Sequence, residues 1–107
     1  MTEIKIDELK KMMKDGEDFQ LVDVRGKECC YDLEHIPGAL NIPLNVLEER
    51  IAELDNKKPT IVYCGGYSCS LSPRAEHMMK EHFGFGDIRD YSGGIKEWIN
   101  EGNKVEK

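Results

Sequence analysis

Short strand-like and helix-like segments alternate along the 107 residues of this chain, and this alternation restricts the fold more than any other feature. Thr60–Tyr63 is nearly all β-branched or aromatic, which is typical of a buried strand. Similar patterns predict short strands over residues 20–24, 40–42 and 87–91. Strands separated by helices favour an α/β fold with a parallel sheet covered by helices on both faces.

The helical segments are recognised by apolar residues at helical spacing and by the residues that begin and end them. They cover residues 7–14, 44–54, 72–82 and 93 to about 100. Asp7 is the expected N-cap of the first helix. Ser72 is the expected N-cap of the third, with Pro73 at its first helical position.

Length and charge indicate a single domain, residues 1–107, that binds no polyanion. The formal net charge is −6, and the longest cationic cluster is Lys57-Lys58. Nucleic acid and anionic membranes bind to basic patches, so both are excluded as expected partners. No apolar run approaches the ~20 residues that span a bilayer. The amino terminus lacks the pattern of a secretory signal, so we expect a cytoplasmic protein, and a domain of this size can stand alone as a monomer.

Four cysteines, Cys29, Cys30, Cys64 and Cys69, are expected to be reduced thiols in that compartment. Cys29 and Cys30 are adjacent, so in extended chain at most one of them would face a site as a relay thiol. The alternative, ordinary loop cysteines, is favoured for this pair. The spacing lacks two C-x₂-C elements, which argues against a zinc site.

Cys64 directly follows the clearest strand and precedes a loop and a helix, an arrangement that suits an anionic sulfur. The loop contains small residues that let main-chain N–H groups turn inward. Its members are Gly65, Gly66, Tyr67, Ser68, Cys69 and Ser70. A helix N-terminus behind such a loop lowers a cysteine pKa into the range of about 3.5–7.5. We therefore expect a reactive thiolate at Cys64, with a buried, inert cysteine as the alternative reading.

Several motifs together resemble the rhodanese-like family of sulfurtransferases. They occur in the family's order at residues 21–25 (LVDVR), at Tyr31 with 35–43 (HIPGALNIP), at 61–64 (IVYC) and at 85–102. The resemblance covers about residues 3–105. It implies a three-layer α/β fold with a central, mainly parallel sheet of five strands and helices on both faces.

The resemblance also implies a ping-pong sulfur transfer. Cys64 would take a sulfane sulfur from thiosulfate, a polysulfide or a protein persulfide, hold it as a persulfide and yield it to a thiol or cyanide. No metal and no organic cofactor are implied. By the same resemblance, Asp23 and His35 are structural residues that support the turn at residues 35–39.

The loop departs from the familiar pattern because it carries no cation between Cys64 and Arg74. A neutral loop is expected to bind a dianion such as thiosulfate less well. Arg25, at the same end of the predicted sheet, and Arg74 are the candidates to supply the missing charge. The loop is closer to a variant with a second cysteine five positions after the first, so Cys69 is a candidate resolving thiol, with a thioredoxin-like protein as reductant. The alternative for Cys69 is a small loop residue that only packs.

Two other functions compete with sulfur transfer. A cysteine-based phosphatase or arsenate reductase needs an Arg six positions after its nucleophile to clamp a dianion, and Ser70 occupies that position. A non-catalytic regulatory or binding module would keep the fold without using the thiol. Inactive members of the family usually lack the cysteine, and Cys64 is present.

Overall fold

Four parallel strands form the sheet in the computed structural model, which describes residues 2–107. They are β1 (Gln20–Asp23), β2 (Leu40–Asn41), β3 (Thr60–Tyr63) and β4 (Ile88–Tyr91), in the spatial order β2-β1-β3-β4. The predicted parallel sheet is confirmed, with four strands in place of five. The amino-terminal segment beside β4 makes only a single parallel bridge, between Glu3 and Asp90, so it does not form the fifth strand.

Four α-helices connect the strands: α1 (Ile6–Lys14), α2 (Leu47–Arg50), α3 (Leu71–His82) and α4 (Gly94–Asn100). Within residues 2–107, no helix is long and apolar enough to cross a membrane. Two predicted N-caps are wrong. The N-cap of α1 is Lys5, so Asp7 lies in the first turn of that helix. The N-cap of α3 is Ser70 and not Ser72. Ser72 therefore lies inside α3, and its side chain is available for another role.

The predicted helix over residues 44–54 is interrupted. A 3₁₀ turn (Leu44–Val46) precedes the four-residue α2, and a second 3₁₀ turn (Ile51–Glu53) follows it. The N–H of Leu44 donates to the carbonyl of Val24 beyond β1, which ties the start of the segment to the sheet. The apolar periodicity correctly marks the buried face, but the sheet contact sets a tighter path than a regular helix.

Each face of the sheet is covered by its own apolar cluster, which confirms the three-layer arrangement. Leu21, Ile61 and Tyr63 pack with residues of α1 and α4 on one face. Val62 and Cys64 point to the other face, where α3 packs. Side chains alternate along a strand, and Cys64 continues the alternation of β3. The reactive-cysteine candidate therefore belongs to the α3 side.

The segment between β1 and β2 contains a π-helical turn, Lys27–Tyr31, that the sequence did not predict. Within it, Cys29 and Cys30 are joined by a disulfide between neighbouring residues. The expectation of four reduced thiols is therefore wrong for this pair. The argument that adjacent side chains diverge fails too, because the chain is a helical turn here and not an extended strand.

Candidate active site

The carboxyl end of β3 presents Cys64 at the edge of the sheet where α3 and α4 both begin. The carbonyl groups of Cys64 and Gly65 accept hydrogen bonds of 3.0 Å from the N–H groups of Ile95 and Lys96. Gly94 makes this close approach feasible. Its φ is +63°, and a Cβ on it would come within 2.5 Å of the Cys64 carbonyl oxygen. The start of the loop at residues 65–70 is thereby clamped onto α4.

Cys64 itself is almost completely buried, with 1% of its surface exposed. Its Sγ lies 3.2 Å from Ser72 Oγ and 3.7 Å from the Cys69 carbonyl oxygen, and the Ser72 N–H donates to Sγ at 3.4 Å. Burial raises the pKa of Cys64 and the neighbouring Cys69 thiol adds to the rise, while Ser72 opposes it. In this resting arrangement the thiol is therefore less acidic than a free cysteine, opposite to the expectation from sequence.

Cys64 Sγ accepts a main-chain hydrogen bond from Ser72, and the loop after it does not adopt the turn that the sequence predicts. Neither Gly65 nor Gly66 has a positive φ. Burial alone would raise the pKa of Cys69, but hydrogen bonding from the Cys64 thiol and from the N–H groups of Gly65 and Leu71 holds it below its usual value. The charge of Arg25 acts in the same direction. Cys69 is partly exposed, so the more acidic thiol is also the more accessible one.

Arg25 does not face a substrate site as a free cation. Its guanidinium makes hydrogen bonds of 2.7–3.1 Å to the buried Asp23 carboxylate and donates to the Glu34 carbonyl at 2.7 Å. Asp23 is thus tied through Arg25 to the chain that precedes the 35–39 turn. Tyr63, which pairs with Asp23 on the adjacent strand, contacts the 35–39 turn directly. The Ile36 N–H donates to the Tyr63 hydroxyl at 3.0 Å.

His35 lies in a structural setting. Its ring stacks on Tyr31 with a centroid separation of 3.7 Å, and Nδ1 is 2.9 Å from the Tyr31 carbonyl oxygen. Its backbone pairs with Glu106 near the carboxyl terminus in an antiparallel bridge. These contacts place His35 in the support of the turn and away from the thiols.

A groove of about 510 Å³ runs between the loop and α4. Loop residues 65–69, which include Cys69, line one side, and Lys96 and Glu97 line the other. Tyr67 is 69% exposed, and its hydroxyl donates to Glu97 at 3.2 Å. Arg74, the other candidate cation, is exposed beside a different depression with Val24 and Leu71, so it does not line this groove.

Sequence reasoning missed three residues at or behind the site: Ser72, Asp90 and Lys96. The sequence predicts Ser72 as a helix cap, whereas its side chain contacts Cys64. The sequence predicts only that Asp90 lies in a strand, and the structure buries it fully. An acid two positions after Ile88 in a predicted strand is a usable signal, because alternation puts both side chains on one face and burial of a carboxyl needs a specific reason. Across residues 2–107, no group of three or more His, Cys, Asp or Glu side chains is arranged to hold a metal ion.

The fold and the site define a class: a parallel α/β domain with a cysteine at the carboxyl end of a central strand. The family model for the rhodanese-like domain matches residues 5–101. The chain belongs to the rhodanese-like family.

Relatives and solved structures agree with this assignment. The chain is 32% identical over 81 residues to the thiosulfate sulfurtransferase GlpE of Coxiella burnetii, covering 76% of this chain and 72% of that protein. It is 35% identical over 100 residues to the HTH-type transcriptional regulator Rv0324 of Mycobacterium tuberculosis, covering 94% of this chain but only 42% of the regulator. The crystal structure of BH2092 from Bacillus halodurans superposes with a TM-score of 0.89 at 34% identity, covering 98% of this chain and 76% of that one.

Proposed function

We propose that this chain is a sulfurtransferase in which Cys64 carries a sulfane sulfur as a persulfide and Cys69 is its partner thiol. One observation carries the proposal: two free thiols, one buried and one acidic, interact at the carboxyl end of β3. A lone structural cysteine has no need of a second thiol beside it whose pKa is lowered. Membership of a family that includes sulfurtransferases supports the same chemistry.

Loading begins when the Cys64 thiolate attacks the sulfane sulfur of a donor. The donor's S–S bond breaks, its electron pair leaves with the donor as an anion, and Cys64 becomes a persulfide. Because Cys64 is covered at rest, the loop at residues 65–70 has to move before a donor can reach it. The groove beside Cys69 is the approach that this movement would open.

The persulfide has two exits. An external thiol or cyanide can take the outer sulfur and regenerate Cys64. Alternatively, the Cys69 thiolate attacks the inner sulfur, which releases hydrosulfide and leaves a Cys64–Cys69 disulfide. A thioredoxin-like dithiol then reduces that disulfide by exchange. The lowered pKa of Cys69 favours this second exit because thiolate is the attacking species.

The charges at the site favour some donors over others. Arg25 is paired with Asp23, and Arg74 lies beside a different depression, so neither cation faces a donor in the groove. Lys96 contributes one positive charge to the groove, beside Glu97 and Glu101. We therefore propose polysulfides or protein persulfides as donors in preference to thiosulfate.

Adduct mapping tests the proposal. The wild-type protein, Cys64→Ser and Cys69→Ser are each incubated with polysulfide, and the added sulfur is located by fragment mass spectrometry. We expect one added sulfur on Cys64 in the Cys69→Ser protein, a Cys64–Cys69 disulfide in the wild type, and no stable adduct in Cys64→Ser. Sulfur on Cys69 alone, or on neither thiol with any donor, would contradict the assignment.

Sulfur on neither thiol with any donor would favour a non-catalytic module. The similarity to a regulator much longer than this chain suggests such a role. An aryl phosphate assay separates the phosphatase alternative. We expect no turnover there, because Ser70 stands where an Arg would have to clamp the phosphoryl group.

A further inference from the structure

Two groups of Ser72 contact the sulfur of Cys64. Ser72 Oγ lies 3.2 Å from Sγ, and the Ser72 N–H donates to Sγ at 3.4 Å. Ser72 is the second residue of α3 and is 1% exposed, so bulk water does not compete for either group. A third contact of the same sulfur is the Cys69 carbonyl oxygen, at 3.7 Å. The shorter polar contacts of this buried sulfur are thus those made by Ser72.

The three contacts favour different charge states of the sulfur. An N–H group can only donate, so it favours the thiolate, whereas a carbonyl oxygen can only accept, so it favours the thiol. The Ser72 hydroxyl can rotate, which lets it accept from the thiol and donate to the thiolate. Ionisation therefore gives the sulfur two donors, and hydrogen bonds to an ionised partner are stronger than neutral ones. In agreement, both Ser72 contacts lower the pKa of Cys64, against the effect of burial.

The position of Ser72 at the start of α3 makes its N–H available for this contact. The first four N–H groups of an α-helix have no partner within the helix. In a helix of twelve residues these groups also lie at the positive end of the dipole. The hydroxyl of the same residue contacts the same sulfur, so one residue presents two donors to one atom.

We propose that Ser72 is a catalytic residue that stabilises the Cys64 thiolate with its hydroxyl and its N–H, both when the thiolate attacks a donor and when it leaves during transfer. The proposal rests on the proposed function in taking Cys64 as the residue that bears sulfur. During loading, an electron pair of the thiolate forms the new S–S bond, and the donor's S–S bond breaks with its pair on the donor. A larger thiolate fraction makes this step faster.

Transfer to an external acceptor returns the charge to the atom that Ser72 contacts. When cyanide attacks the outer sulfur of the persulfide anion, a C–S bond forms, the S–S bond breaks and its electron pair stays on Cys64 Sγ as thiocyanate leaves. A thiol of lower pKa leaves faster, so Ser72 accelerates this step. In the exit through Cys69, the outer sulfur leaves with the electron pair and its proton as hydrosulfide, and Sγ stays uncharged in the disulfide. Ser72 therefore favours transfer over disulfide formation.

The first test is the pH profile of Cys64 alkylation by iodoacetamide, measured in Cys69→Ser protein and in the same protein with Ser72→Ala. The Cys69→Ser background removes the titratable thiol that acts on Cys64. Loss of a hydrogen bond to an ionised group should raise the pH of half-maximal rate by about 1–2 units in the Ser72→Ala protein. An unchanged midpoint would overturn the proposal.

Two control variants in the same background separate the contact with sulfur from a general loss of packing. Ser72→Thr keeps both donors, and we expect its midpoint to stay within about half a unit of the parent protein. Thr60→Val removes another fully buried hydroxyl, at the opposite end of β3, and should leave the midpoint unchanged. A rise in Thr60→Val equal to that in Ser72→Ala would show that the effect does not depend on the contact, and the proposal would be wrong.

The second test measures transfer after loading. The Cys69→Ser protein, with and without Ser72→Ala, is loaded with polysulfide, separated from excess donor and mixed with cyanide. We expect thiocyanate release to be about 10- to 100-fold slower in the Ser72→Ala protein. Equal release rates would refute the role of Ser72 and leave the sulfurtransferase assignment intact. Failure of both proteins to load would refute the assignment, and the alkylation midpoints would still decide whether Ser72 stabilises the thiolate.

A third measurement leaves position 72 unchanged and is independent of how well Ser72→Ala folds. In ¹⁵N-labelled Cys69→Ser protein, the amide proton signal of Ser72 should shift as Cys64 ionises, because this N–H donates to the sulfur. We expect the shift to have the same pH midpoint as alkylation of Cys64. A Ser72 amide signal that does not respond to the ionisation of Cys64 would overturn the proposal. Circular dichroism verifies that each variant is folded.

Discussion

Replacing Gly94 with alanine tests whether the clamp between α4 and the cysteine loop has the geometry described above. Gly94 has a φ of +63°, and an added Cβ would lie 2.5 Å from the Cys64 carbonyl oxygen and 2.7 Å from both the Gly65 carbonyl carbon and the Gly66 nitrogen. These are backbone atoms, so no side chain can rotate away. The left-handed backbone costs an alanine about 1–2 kcal/mol. The overpacking adds about 1–3 kcal/mol.

Gly102→Ala is the matched control for this substitution. Gly102 also has a positive φ, +81°, but a Cβ there would meet nothing within 4 Å. Gly102→Ala is therefore destabilised by the left-handed backbone alone, without overpacking. The effect of alanine on the unfolded chain is similar at both positions and cancels in the comparison. We expect Gly94→Ala to lower the free energy of unfolding by about 2–5 kcal/mol, and Gly102→Ala by about 1–2 kcal/mol.

Urea denaturation followed by the fluorescence of Trp98 measures both values. With a slope of about 1–3 kcal/mol per molar urea, a difference of 2 kcal/mol separates the two midpoints by about 1 M. Equal midpoints would show that α4 does not approach the loop this closely, and the account of how Cys64 is held would then be wrong.

Two further predictions concern charge at the site. Asp23→Asn should lower the free energy of unfolding by about 3–5 kcal/mol, because it leaves the buried Arg25 without its partner. Urea denaturation measures this change. The control is Asp15→Asn, which breaks the exposed pair with Lys11 and should lower the free energy of unfolding by less than about 1 kcal/mol. Because the pKa of Cys69 is lowered, the pH at which its alkylation reaches half the maximal rate should lie below about 8.5, the pKa of a free cysteine. Cys64→Ala should move this pH midpoint upward, because it removes a hydrogen-bond donor to Cys69. Cys64→Ser should keep most of the acidity of Cys69. A Cys69 midpoint at or above that of a free cysteine would refute the hydrogen bonding that lowers its pKa.

The strands and the place of Cys64 could be predicted because they depend on local pattern. The run Thr60–Tyr63 has the composition of a buried strand wherever it occurs, and the small residues after it mark where the strand ends. The helix over residues 44–54 failed for the opposite reason. Its first turn is tied by a hydrogen bond from Leu44 to Val24, which lies twenty residues earlier in the chain and is not visible in the local pattern.

The division of roles between the two thiols could not be read from the chain. A glycine-rich loop can supply inward N–H groups, but the path of the loop decides which sulfur benefits, and in the fold the pKa of Cys69 is lowered while burial raises that of Cys64. Similarly, Arg25 lies near the predicted site in sequence terms, yet its guanidinium is committed to Asp23. Such assignments depend on distances between segments that the local pattern does not contain.

The sequence by itself determined a parallel α/β domain of the rhodanese-like family with a cysteine at the end of its central strand, because strand composition, turn residues and motif order are local properties. Only the tertiary structure decided that Cys64 is buried, that Cys69 is the acidic thiol, and that Ser72 and Asp90 stand behind the site. The physical reason is that burial and hydrogen bonding, which set the reactivity of a thiol, arise when β3, β4 and α3 pack against one another.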